Sequence, residues 1–105
     1  MRSNDIRVVH WPYAQAADES VLRRLLAQER LTPYCWANAP GDVYGAHMHP
    51  YHKVLYVVRG SIRVALPNLG KQFHLRQGDR LDLPAGIVHE AVVGDQGVVC
   101  LEAHR

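Results

Sequence analysis

The chain has little cysteine, no long apolar run and no block of like charge, and each shortage removes a class of protein. Its two cysteines, Cys35 and Cys100, lack CxxC spacing, so there is no disulfide scaffold to build on and the pair is expected reduced and partly buried. No stretch approaches the roughly 20 apolar residues of a membrane span, and Met1 to Ile6 has no apolar h-region of a signal peptide. A cytoplasmic protein with no membrane partner is expected. The net charge of +2 comes from Lys and Arg interspersed with Asp and Glu, so no basic run anticipates a nucleic-acid backbone. Internal repeats and low-complexity segments are also missing.

What is present is an ordinary globular composition, 48% hydrophobic and 21% charged over 105 residues, enough for one core and one domain. Disorder is expected only in the first few residues. Val21, Leu22, Leu25 and Leu26 recur at helical spacing, with Arg23, Arg24, Gln28, Glu29 and Arg30 on the opposite face. The spacing predicts one helix between Asp18 and Leu31, capped by Asp18 or Ser20 and ended by Thr32-Pro33. Its apolar stripe needs cover from the rest of the chain or from a second subunit.

Beyond Thr32 the pattern turns to short β-rich runs broken by turn residues, the rhythm of an all-β sandwich or barrel. The expected strands are Tyr34 to Ala37, Val43 to His49, Lys53 to Arg59, Ser61 to Leu66, Gln72 to Leu75, Arg80 to Leu83, His89 to Val93 and Val98 to Ala103. A short one is also expected near Ile6 to His10. Val54 to Val58 is apolar at every position, which predicts cover on both faces. The organisation expected is an N-terminal strand and helix, residues 1–33, packed on a β-barrel of residues 34–105.

Chemistry concentrates in two runs. Alternate side chains of an extended strand share a face, so His47 and His49 can grip one ion between them, and His89 offers a third ligand from another strand. The first run reads GDVYGAHMHPYHKVLYVVRG from Gly41 to Gly60, and the second GDRLDLPAGIVHEAVV from Gly78 to Val93. They resemble the paired signature motifs of the cupin superfamily, G-x5-H-x-H-x3,4-E-x6-G and G-x5-P-x-G-x2-H-x3-N, with every fixed glycine, proline and histidine in place. The resemblance implies a jelly-roll or double-stranded β-helix barrel, a metal site inside it, and a homodimer.

Two positions depart from those motifs: Lys53 stands where the glutamate is usual, and Val93 where the asparagine is. A protonated lysine cannot coordinate, and an ammonium about 5 Å from a divalent ion at an effective dielectric of about 20 meets a repulsion on the order of 6 kcal/mol. Three resolutions are open. Lys53 turns away and leaves a three-histidine site, His52 swings in to complete the shell, or no metal binds and the histidines bond one another or an anion held by Lys53.

The functional expectation is one divalent ion (Zn, Fe, Ni or Mn) on His47, His49 and His89, acting on a small anionic, oxygen-bearing ligand. An oxygenase- or isomerase-like enzyme fits that description, and the competing class is a metal-free cupin that binds a small ligand without catalysis. Of the remaining candidates, Arg63 and His74 are weighed between pocket and solvent, and Tyr44 and Tyr51 between pocket and packing. Tyr56 is expected to pack, and Trp11 and Trp36 to be core or interface anchors.

Overall fold

The computed structural model describes residues 6–105; the disorder expected of the first few residues falls on positions outside that range. In chain order the elements are β1 (Arg7–Val9), α1 (Glu19–Gln28), β2 (Tyr34–Asn38), β3 (Val43–His47), β4 (Lys53–Leu66), a single 3-10 turn (Pro67–Leu69), β5 (Lys71–Arg76), β6 (Arg80–Leu83) and β7 (His89–His104). All strand pairs are antiparallel, in the order β1-β6-β4-β7-β2, with β3 on β7 and β5 on β4 as well. Among the described residues no helix is long and apolar enough to cross a membrane.

The sheet rolls up because its two longest strands change partner halfway. Strand β4 pairs with β6 through Lys53 to Tyr56 and with β5 through Ser61 to Leu66, while β7 pairs with β3 in its first part and β2 in its last. The strands expected at Lys53 to Arg59 and Ser61 to Leu66 are therefore one continuous element, as are those at His89 to Val93 and Val98 to Ala103. Gly60 and the Gly94–Gly97 segment mark bends within these strands instead of ends.

The bends also reverse which residues face inward. Leu55 and Val57 point into the main core from odd positions, but past Gly60 the inward residues are Ile62, Val64 and Leu66. In β7 the same slip separates Ala91 and Val93 from Val98 and Cys100. One extra residue at a bulge moves every later side chain to the other face, and the β4–β7 register does shift between Val57 and Arg59 and between Gly60 and Ile62.

The cover predicted for Val54 to Val58 is found on both faces. Leu55 and Val57 lie in the barrel core, while Val54, Tyr56 and Val58 pack with Ala17, Leu22, Leu26 and Leu101 under the helix. The helix thus finds its cover on its own barrel. Asp18 caps it, accepting from Val21 N at 3.0 Å and from Ser20 Oγ at 2.8 Å. It stops earlier than Thr32-Pro33: Arg30 N bonds to Ala27 O at 2.9 Å and Leu31 N to Leu26 O at 3.0 Å. This is a Schellman ending with Arg30 in the left-handed region, φ 60°, and Leu31 folded back onto the cluster that holds Leu26.

Candidate metal centre

The end of β3 and the start of β7 carry the histidines. His47 and His89 are directly opposed in the ladder. β3 ends at His47, so His49 lies just past it instead of within a strand, where its carbonyl accepts from Gly86 N at 2.9 Å. The Pro-x-Gly corner of the second motif thereby holds the end of the first. Ring centroids are 4.7 Å apart for His47 and His49, 4.3 Å for His47 and His89, and 5.2 Å for His49 and His89. One nitrogen from each ring lies within 4.8 Å of the others, a spacing compatible with a shared ion.

Two of the rings are locked by their own backbone. His47 Nδ1 lies 2.6 Å from Gly45 O and His89 Nδ1 lies 2.9 Å from Ile87 O. A carbonyl only accepts, so each Nδ1 donates, and Nε2 is the nitrogen left to serve as a ligand. His89 is buried, and its Nε2 has no hydrogen-bond partner among the described residues. Burial drives its pKa down to about 4; the Lys53 ammonium and the other imidazoles add to this, against the pull of the Ile87 carbonyl. His49 is lowered by burial, then by Lys53 and His47. Such rings are neutral near pH 7, as ligands must be. A buried, unpartnered imidazole nitrogen with two further imidazoles close by fits a divalent ion. Bound there, the ion supplies Lewis acidity toward a ligand oxygen.

The histidines face a cavity of about 300 Å³. Leu55, Ile62, Val64, Leu81, Leu83 and Ala91 form its apolar wall, and Tyr34, Trp36, Tyr44, Tyr51, Lys53 and Glu102 contribute polar groups. Tyr44 donates its hydroxyl to Asn38, and burial raises its pKa. Tyr51 stacks between His49 and His104, with centroids 4.8 Å and 3.7 Å away.

Lys53 lies in the cavity wall, its Nζ 3.6 Å from Glu102 Oε1. Glu102 is 4% exposed and also accepts from Tyr34 Oη at 2.6 Å, His104 Nε2 at 2.7 Å and Trp36 Nε1 at 3.0 Å. Burial pushes this carboxyl up, but Tyr34, His104, Lys53 and Trp36 together outweigh it and hold the pKa below the usual value. Glu102 escaped the sequence reading. Its signal was alternation: Val98, Cys100 and Glu102 share the inward face of β7, where a carboxylate interrupts an apolar row.

The other candidates separate cleanly. His52 lies outside the three-histidine cluster, and its carbonyl accepts from Arg105 N at 2.9 Å. Arg63 and His74 are opposed on the exposed face of β4 and β5, with His74 Nδ1 3.2 Å from Arg76 Nη2. Tyr56 packs beneath the helix, with the Arg80 guanidinium 5.4 Å from its ring. Trp36 is not a simple anchor, because it lines the cavity and bonds Glu102.

These features define a small β-barrel with a histidine cluster facing an interior pocket. The chain matches the cupin domain family over residues 36–104 and belongs to it. Among solved structures it is similar to a DUF861 family protein from Thermotoga maritima, with a TM-score of 0.67, 14% identity, and 96% of this chain and 100% of that one covered. KdgF from Halomonas sp. matches with a TM-score of 0.57 and 26% identity over 95% of this chain and 77% of that one. The DMSP lyase DddQ from Ruegeria pomeroyi gives a TM-score of 0.64 and 23% identity over 71% of this chain, but only 38% of that one. No curated protein matches the chain.

Proposed function

We propose that this cupin holds one divalent ion on His47, His49 and His89 and uses it to bind a small oxygen-bearing anion inside the barrel. The observation that carries the reading is the buried, unpartnered Nε2 of His89 beside the rings of His47 and His49. Three protein ligands leave coordination positions open, the arrangement of catalytic rather than structural metal sites, and oxygenase- or isomerase-like chemistry is the class this favours. The preference for an anion rests on the charge that three neutral imidazoles leave on the ion. Lys53 adds less than its charge promises, since Glu102 lies against it.

Metal analysis of untagged protein tests this. One equivalent of bound zinc, iron, nickel or manganese is expected, lost on replacing His89. Substoichiometric metal that stays unchanged after loading with each ion overturns it, and small-ligand binding by such metal-free protein supports the non-catalytic binder instead.

A homodimer belongs to the same reading. With the helix covered by its own barrel, its support is the exposed apolar pair Val43 and Val92, cross-strand neighbours that are 69% and 44% exposed. Light scattering that returns a monomer mass at working concentration removes it. Residence in the cytoplasm is supported by Cys35 and Cys100 both being free thiols, and fractionation of cells expressing the protein checks it.

A further inference from the structure

We infer that Glu102 is the residue that makes the site compatible with an ion, by holding the Lys53 ammonium against the cavity wall and away from the three imidazoles. This rests on the metal reading above. At Lys53 the family motif usually places a carboxylate, whereas this chain places a cation inside the barrel wall, its side chain only 13% exposed. Left to itself, that ammonium has little bulk water to turn to. Its favourable partners are then the lone pairs around the cavity, the histidine nitrogens among them, and there it would occupy the ion's place.

Glu102 supplies the alternative partner, and the structure fixes it in position from several sides. Tyr34 and His104 bond Oε2, Trp36 bonds Oε1, and Lys53 lies 3.6 Å from Oε1. The side chain is nine-tenths buried and more, so its charge acts through a medium that screens poorly. Cross-strand pairing also sets the distance: Lys53 is opposite His104 and Leu55 opposite Glu102 on adjacent strands, which places Lys53 and Glu102 diagonally on one inward face, within reach of a long side chain. The carboxylate beside this site stands on the last strand, where it pairs with the lysine and not with the ion. Glu102 is a positioning residue in this scheme and touches no metal.

The test is a double-mutant cycle on zinc affinity, read by competition with a chromophoric chelator and therefore independent of any turnover. Glu102→Gln is expected to weaken zinc binding by tenfold or more. Lys53→Met is expected to bind at least as tightly as the parent. In the Lys53→Met background, Glu102→Gln should cost less than threefold, because the ammonium it restrained is gone. Equal losses in both backgrounds would mean that Glu102 acts through its own charge alone, which overturns the inference while leaving the metal site intact. A Glu102→Gln protein with parental affinity overturns it too. If Glu102→Gln does not fold, the zinc-loaded parent decides the matter by crystallography: Nζ should remain on Glu102, and an Nζ found turned toward the ion or out to solvent refutes the idea. A parent protein that takes up no zinc, iron, nickel or manganese removes the metal reading itself, and this inference falls with it.

Discussion

His47 and His89 stand directly opposite one another across the β3–β7 ladder, with ring centroids 4.3 Å apart. Opposed residues on antiparallel strands have Cβ atoms about 4.5–5.5 Å apart, so the pairing register alone brings these rings together. Replacing either with alanine should lower ion affinity by at least about a hundredfold, measured by chelator competition. Alanine at His52, which lies outside the cluster, should leave affinity within about threefold of the parent.

Acid should destabilise the metal-free protein in two stages. His89, with its pKa depressed to about 4, binds fewer protons folded than unfolded, so stability is lost as pH falls from about 6.5 toward 4. Its share is at most about 3 kcal/mol. The carboxylates follow the opposite chemistry to the same sign: Glu29, lowered to about 2 chiefly by its bond to Arg80, and Glu102 stabilise the fold above about pH 4.5 and lose that contribution below it. Urea denaturation between pH 7 and pH 4 should show the first stage, and His89→Gln should flatten it. A slope unchanged by that substitution assigns the loss to other groups.

Gly60 bends β4 at φ 80°, and a Cβ there would overlap the backbone carbonyl of Gly97 on the facing strand. Gly60→Ala should cost about 2–5 kcal/mol, combining the left-handed backbone penalty with overpacking against atoms that cannot yield. Gly41 has a similar φ of 78° but open space around it, so Gly41→Ala should cost only about 1–2 kcal/mol. Chemical denaturation of both variants separates steric closure from backbone strain.

Arg30 occupies the left-handed position after the helix with φ 60°, where glycine is preferred. Arg30→Gly should stabilise the protein by about 0.5–1 kcal/mol, since it relieves that strain and lies outside the helix. A lower thermal midpoint would show that the arginine side chain contributes more than its backbone costs.

The local pattern was legible wherever a residue's neighbours in sequence settle its environment. Helical spacing around Leu22 and Leu26 located the helix, unbroken apolarity marked Val54 to Val58 as covered twice, and the two motifs identified the histidines. The helix ends before Thr32-Pro33 because its stop depends on Arg30 adopting a conformation unusual for its type. Gly60 and Gly97 read as strand breaks, since a glycine that terminates a strand and one that bends it look alike without the opposing chain. Lys53 posed a conflict that sequence could state but not resolve, because its partner lies 49 positions away.

Residue types and their short-range spacing were thus enough to determine an all-β fold with one helix, and the resemblance of two motifs to the cupin signatures implied the barrel and three histidines suited to one ion. Tertiary structure decided where the lysine charge goes, which strands are continuous, and that Glu102 and Trp36 belong to the cavity. The physical reason is that periodicity records which side of an element is apolar, whereas a buried charge finds its partner only across strands, through a register set by the whole sheet.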